Sequence, residues 1–374
     1  MFNVKTLNNI SDKGLSLLTE NYELNNESKT EDAILLRSFK MHDYEMPETL
    51  LAVGRCGAGV NNIPLDKCAE KGIVAFNSPG ANANAVKELV ILGMLISSRK
   101  VYRGIKWCNS LGENAAKEVE KGKKNYAGGE ILGKTLVVVG LGAIGALVSN
   151  AALALGMKVV GYDPFLSPAA ALRLDPRVNF EADLDKALVQ ADFVTIHVPL
   201  MDATRGLLNK DKFAIMKEGV RVLNFARGGL VDEDDVVEAV KAGTVGRYVT
   251  DFPSEKVLNV DNIIAIPHLG ASTPEAEENC AIMATNEIMD YLENGNIINS
   301  VNYPAVDMGV KTSKNRIAIN HNAEFDITAI KNIHMNSMTT KARGEYAYTL
   351  IDTDEDVNAD AIKSMAGVIR VRVL

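Results

Sequence analysis

The sequence predicts an α/β protein made of a doubly wound parallel sheet, a second and discontinuous α/β block, and a small α+β unit at its C-terminal end. Three observations carry this. Residues 134–163, KTLVVVGLGAIGALVSNAALALGMKVVGYD, run from an apolar segment through a glycine-punctuated turn and a charge-free helical stretch into a second apolar segment. Strand and helix signals alternate from the start to residue 268, which requires parallel strands joined by crossover helices. After residue 313 the texture changes: RIAINHN, IHMNSMTTKA, GEYAYTLIDT and VIRVRVL alternate as strands do, with NADAIKSM as one short helix.

The 134–163 stretch is a βαβ unit with the features of a dinucleotide site. Gly140 permits the tight turn, Gly142 lets the backbone approach a pyrophosphate, and Gly145 lets the helix pack close to the strand. A helix that starts at this turn points its unpaired amides and positive dipole end at the phosphates. Asp163, 18 positions after Gly145, ends the second strand. A carboxylate there accepts hydrogen bonds from both ribose hydroxyls and repels a 2′-phosphate, so NAD is expected rather than NADP. The 23 uncharged residues Thr135–Met157 are long enough to span a bilayer. Four glycines, an Asn and the VVV opening argue instead for a parallel strand covered on both faces.

Taken in order, FNVKTLN reads as a strand, SDKGLSLLTE as a helix, AILLRS and LLAVGRCG as strands, LDKCAEKG as a helix and IVAFNSP as a strand. A long helix is expected over 84–108 and a surface connection over 117–134. Past the βαβ unit, strands are expected at 178–180, 193–199, 219–226, 247–252 and 262–268, with helical stretches between them. The run LGASTPEAEENCAIMATNEIMDYLENG forms a helix with Ser272 and Glu275 as a capping box and Pro274 in its first turn. That helix carries the chain back to the first block. Residues 299–313 read as a linker.

The 374 residues suffice for two or three cores. A net charge of −8 and a pI near 5.3 argue against nucleic acid as the main partner. Cys56, Cys68, Cys108 and Cys280 are widely spaced, which gives neither a zinc site nor a disulfide framework, and they read as buried thiols in a reducing compartment. No metal is expected. MFNVKTLNNISDKG has neither the basic nor the apolar region of a signal peptide, so a cytoplasmic protein without membrane contact is the expectation.

Three groups of chemistry-bearing residues fall at strand ends of the second block, where open α/β sheets bind ligands. In NFARGG, Arg227 suits bidentate capture of a carboxylate; alone, it reads equally as a surface salt-bridge arginine. In PHLGAST, His268 suits a general base, although an isolated His is more often structural. TDFPSE places Asp251 and Glu255 between them, where a carboxylate can steady an imidazolium; alone, each is a turn carboxylate.

Together, GLGAIG, Asp163, Arg227, Glu255 and His268 resemble the D-isomer-specific 2-hydroxyacid dehydrogenases. LLRSFKMHDYE, VGRCGAGVNNI and FNSPGANANAVKELV, with GEYAYTLID and GVIRVRVL near the end, extend the resemblance over nearly the whole chain. It implies a Rossmann-type NAD-binding domain over 81–269 and a discontinuous flavodoxin-like substrate domain from 1–80 and 270–300. A linker over 301–315 and a shortened ACT-like regulatory domain over 316–374 would follow. The implied activity is NAD-dependent oxidation of a small phosphorylated hydroxy acid, 3-phospho-D-glycerate to 3-phosphohydroxypyruvate, the first step of serine biosynthesis. His268 would be the base, Glu255 its partner and Arg227 the carboxylate ligand. Ala143, Ile144, Asp163, Phe225, Ala226, Arg227, Asp251, His268, Leu269, Gly270 and Ala271 would contact NAD. Arg37, Ser38, Lys40, Arg55 and Gly57 resemble the family's substrate contacts, and Lys123 matches a basic position that the family can deliver from a neighbouring subunit. A homo-oligomer, dimer or higher, is implied.

The chain departs from the family pattern twice. Lys256 stands where a proline usually follows the catalytic Glu, with one residue fewer between Asp251 and Glu255. Between RIAINHN and IHMNS only about ten residues remain, against a mean helix of about 11 to 12. That shortage argues against serine feedback through His321 and Asn322. A reductase of glyoxylate or hydroxypyruvate, which would not need Arg37 and Lys40 beside Arg55, is the alternative. A non-catalytic NAD-sensing, partner-binding protein on the same fold is a third reading, against which intact Arg227 and His268 weigh.

Overall fold

The computed structural model describes residues 1–331 and 333–374. It divides into two compact units, one formed by 1–82 with 274–374 and the other by 83–273. In the first, β1 (Phe2–Thr6), β2 (Tyr22–Leu24), β3 (Ala33–Leu36), β4 (Ala52–Arg55) and β5 (Val74–Asn77) form a parallel sheet in the order β2-β1-β3-β4-β5. Strands β3 to β5 are covered on both faces, which is why they read as unbroken apolar runs. The helix Pro274–Asn294 covers one face, its Ala284, Ile288 and Tyr291 sharing a core with Leu35, Ala52 and Phe76. Met41, Ile63 and Cys68 cover the other, against Ile34, Val53 and Ala75.

The second unit holds seven strands: β6 (Thr135–Val139), β7 (Lys158–Tyr162), β8 (Asn179–Phe180), β9 (Phe193–Ile196), β10 (Val220–Asn224), β11 (Val245–Thr250) and β12 (Ile263–Ala265). All pair in parallel, in the order β12-β11-β10-β9-β6-β7-β8. The winding reverses between β6 and β9, so a crevice opens at their C-terminal ends. The charge-free stretch is β6 plus a twelve-residue helix, Ala143–Ala154. Among the described residues no helix is long and apolar enough to cross a membrane.

Some local expectations give way to packing. The helix expected over 84–108 is two, Ala83–Ser98 and Val101–Cys108, because the chain breaks helical geometry at Lys100. Cys108, expected to be buried, is exposed, since its short helix buries no residue. The connection 117–134 contains helical turns, Ala115–Gly122 and Lys123–Tyr126, with Tyr126 stacked 4.9 Å from Trp107. The stretch read as a linker is packed into the first unit. Tyr303 is fully buried and donates to the Ala69 carbonyl at 2.7 Å, and the Asn302 amide pairs with the backbone of Ile73 and Ala75.

Strands β13 (Asn315–Asn322), β14 (Ser337–Arg343), β15 (Tyr346–Thr353) and β16 (Val368–Val373) make an antiparallel sheet in the order β14-β15-β13-β16. Both faces of β13 are covered. Ala318 shares a core with Tyr291, Tyr303 and Tyr348, whereas Ile317 and Ile319 pack with Ile351 and Ile362. Where a first helix would stand, the described residues form a 3-10 turn, Ile327–Ala329. Arg316, fully buried, donates from Nε to Asp352 Oδ1 at 2.6 Å and from Nη2 to Oδ2 at 2.9 Å. Its Nη1 donates to the carbonyls of Asn294 and Gly309. His321 is buried, its Nε2 bonded to Thr349 Oγ1 and its Nδ1 to the Asn322 carbonyl, both at 2.8 Å.

Candidate functional site

At the end of β6, Gly140 has φ +94°, a left-handed conformation, and a Cβ there would lie 2.9 Å from the His197 carbonyl. A Cβ on Gly145 would lie 1.9 Å from the Gly140 carbonyl oxygen, so only glycine lets the helix Ala143–Ala154 start against the strand. Gly142 caps that helix with no side chain on its first amides, and a Cβ on it would meet nothing within 4 Å. These residues fit a pyrophosphate: open space, unpaired amides and the positive end of a helix. Asp163, just past β7, accepts from the Leu141 amide through Oδ2 and the Phe165 amide through Oδ1, both at 2.9 Å. One lone pair on each oxygen stays available. Phe225, expected to meet the cofactor, has its ring in the core against the helix Ala83–Ser98, which leaves its backbone for that contact.

His268 and Arg227 are both exposed, beyond β12 and β10 respectively. The His268 ring lies 4.4 Å from that of Phe252, tilted by 46°. The loop carrying Arg227 is braced by buried Asn224, whose Oδ1 accepts from the Ala226 amide and whose Nδ2 donates to the Arg227 carbonyl. Asp251 is 1% exposed and neither carboxylate oxygen has a hydrogen-bond partner among the described residues. Burial pushes its carboxyl up, opposed first by the field of His268, then by the nearby backbone amides of Gly270 and Asp251, and last by Arg227. Thus the carboxylate in electrostatic reach of both candidate catalytic residues is Asp251. Glu255 is exposed, and among the described residues no hydrogen bond or ion pair joins it to His268. Leu269 is exposed, Ala271 half-buried, and Gly270 buried against Asp251 and Val86.

In the first unit, Arg37, Ser38, Arg55 and Gly57 come together at the ends of adjacent strands β3 and β4. Asn8 Oδ1 accepts from the amides of Arg37, Ser38 and Phe39 at 2.9, 3.0 and 2.9 Å and so fixes the RSF turn. Arg55 Nε donates to the Arg37 carbonyl at 3.2 Å, and its guanidinium lies over Gly57, where a Cβ would come within 2.0 Å. Arg37 is paired with Glu277 at 2.7 Å, both about 40% exposed. Such a pair is worth about 0 to 1 kcal/mol and yields readily to a phosphate. Lys40 is exposed beyond the turn. Lys123 is exposed on its 3-10 turn and paired with Glu120.

Residues 92–270 match the family described as D-isomer specific 2-hydroxyacid dehydrogenase, NAD binding domain. A hydroxypyruvate reductase of Thermotoga maritima is 39% identical over 257 residues, covering 66% of this chain and 79% of that protein. The chain belongs to the D-isomer specific 2-hydroxyacid dehydrogenase family. A D-3-phosphoglycerate dehydrogenase of Archaeoglobus fulgidus is 35% identical over 295 residues, 76% of this chain. The chain spans only 54% of that relative's length. The crystal structure of an NAD+-bound 3-phosphoglycerate dehydrogenase from Entamoeba histolytica has the same fold, with a TM-score of 0.61 at 24% identity over 80% of this chain and 98% of that one.

With the family known, the cofactor of 83–273 is NAD. Residues that the sequence reading passed over in this family member are Asn8, Asn224 and His197. His197 follows β9 at the crevice floor; its Nε2 lies 3.0 Å from Thr195 Oγ1, its Nδ1 has no hydrogen-bond partner among the described residues, and burial depresses its pKa to about 3, so it stays neutral. The signal was present, a His ending the apolar run FVTI, but nothing local says which strand end adjoins Gly140. Replacing Asp163 by Ala is expected to weaken NADH binding about tenfold, a loss of about 1.4 kcal/mol, and to raise the NADPH-to-NADH affinity ratio. Fluorescence titration of both cofactors checks this; an unchanged ratio would remove Asp163 from ribose recognition.

Proposed function

We propose that the protein oxidises 3-phospho-D-glycerate to 3-phosphohydroxypyruvate, a reaction that commits the carbon skeleton to serine. One observation carries the reading: exposed His268 and Arg227 stand at strand ends of one sheet and share the field of buried Asp251. Bound NAD+ supplies the acceptor for the C2 hydride. His268 takes the hydroxyl proton, and the O–H electron pair forms the carbonyl bond as the C2 hydride leaves. Arg227 holds the carboxylate by paired hydrogen bonds and stabilises charge developing on the C2 oxygen. Asp251 favours the imidazolium. Arg55, Arg37 and the amides of the RSF turn offer the cations and donors that a phosphate needs. Lys40 and Lys123 are further candidates.

The relatives named for phosphoglycerate support this substrate, and the hydroxypyruvate reductase supports a phosphate-free one. The Arg37–Arg55 pairing favours the former. NADH oxidation with 3-phosphohydroxypyruvate beside hydroxypyruvate decides between them: preference for the phosphorylated acid is expected, and equal or reversed preference would return the pair to surface charge. Arg37→Gln is expected to raise KM for the phosphorylated acid by about tenfold or more, as for a lost hydrogen bond to a charged group, and to leave hydroxypyruvate unaffected.

We also read 83–273 as the cofactor domain and 1–82 with 274–294 as the substrate domain, with the C-terminal sheet an ACT-like regulatory unit. Its chain order, three strands, a helix and a fourth strand with a 3-10 turn after the first, supports the last point. Engagement of both His321 nitrogens within the sheet speaks against that residue as an effector ligand. Exposed Leu92, Leu95, Val101 and Ile105 on the second unit support association with a second copy.

A further inference from the structure

A groove of about 550 Å³ runs along the first unit, on one stripe of the helix Pro274–Asn294. Met283, Asn286, Glu287 and Asp290 form that stripe at helical spacing, with Ile282 beside them and Ile298 opposite. None of these residues belongs to the candidate site. Glu287 is 7% exposed; its Oε1 accepts from Asn299 Nδ2 at 2.6 Å, and its Oε2 has no hydrogen-bond partner among the described residues. Among the described residues no Lys, Arg or His lines the groove.

A buried carboxylate that lacks a cation must take up a proton or receive positive charge from a ligand. Burial pushes Glu287 up to about 7, with only the Asn299 hydrogen bond opposing it. A cation therefore competes with a proton for this carboxylate. Asp290 adds a second negative field, although its Oδ1 is already taken by the amides of Asn294 and Asn296. Ile282, Met283 and half-exposed Ile298 line the rest with apolar surface. Charge at one point and hydrocarbon beside it define the occupant. We propose that this groove binds a short aliphatic ammonium ligand, the nitrogen drawn to the Glu287 carboxylate and the chain along Ile282, Met283 and Ile298.

The probe is n-butylammonium, titrated into the full chain while the methyl resonances of Ile282 and Met283 are followed, with n-butanol as the uncharged counterpart. Saturable shifts are expected, with the amine about tenfold or more tighter than the alcohol, and the same loss in Glu287→Gln. Met283→Trp fills the groove from a partly exposed wall and should also abolish binding, which keeps the test decisive if Glu287→Gln does not fold. Butanol binding as tightly as the amine, undiminished binding by the folded variants, or absence of saturation would each overturn the proposal.

Discussion

His268→Ala is expected to lower kcat by about 10² to 10⁴ and to leave NADH affinity within about twofold of the original. The imidazole is exposed, seated against Phe252, and no part of the core depends on it. Its loss therefore removes a proton acceptor and little else. Comparable loss of NADH affinity would show that the ring serves binding rather than proton transfer. The same experiment extended to the two carboxylates separates their roles. Asp251→Asn should reduce kcat, whereas Glu255→Gln should not, because Asp251 is buried within the field of His268 while Glu255 is exposed and, among the described residues, makes no hydrogen bond or ion pair with it. Burial raises the Asp251 pKa, so its charge is lost on acidification earlier than that of an ordinary aspartate near 3.9. The acid limb of kcat against pH should lie correspondingly high. A limb unmoved by Asp251→Asn, together with a defect in Glu255→Gln, would return the role to Glu255.

Arg316→Ala is expected to cost about 3 to 5 kcal/mol of stability, the range for breaking a buried ion pair from one side. The guanidinium makes two bonds to Asp352 and three to the carbonyls of Asn294, Met308 and Gly309. Truncation strands all of them. Arg316 bonding holds the Asp352 carboxyl below the usual carboxylate range. Because the folded pKa is the lower one, this contribution is fully present above about pH 4 and disappears as pH falls through the depressed value. Denaturant midpoints of the two proteins should therefore converge in acid. An Arg316→Ala midpoint equal to the original at neutral pH would mean that the sheet does not depend on this pair.

The dinucleotide unit was legible because each of its requirements is local: Gly140, Gly145 and Asp163 lie within one strand-helix-strand, and their spacing encodes their geometry. The three strand-end groups were legible as types and less so as partners. Asp251 and Glu255 lie four residues apart, and the turn between them, not their identity, decides which one shares a field with His268. Asn8 could not be read at all, since its role at the RSF turn depends on a contact across 29 positions. The same holds for residues 299–313, whose polar texture concealed Tyr303 and Asn302 as core groups bonded to Ala69 and Ile73. The break at Lys100 follows no proline or glycine, so nothing local marks it.

The first unit is assembled from two segments separated by the whole of the second. Ala52 packs with Ile288, Arg370 donates to the Leu50 carbonyl across 320 positions, and Asn302 pairs with Ile73. While the chain is being made, the 83–273 block leaves the ribosome with every strand of its sheet present. The N-terminal strands β1 to β5 must meanwhile wait, with one apolar face uncovered, until the helix Pro274–Asn294 emerges about 190 residues later, or roughly 10 to 40 s at ordinary elongation rates. Exposure to aggregation and demand for chaperones during birth therefore fall on the N-terminal quarter of this chain rather than on its cofactor domain.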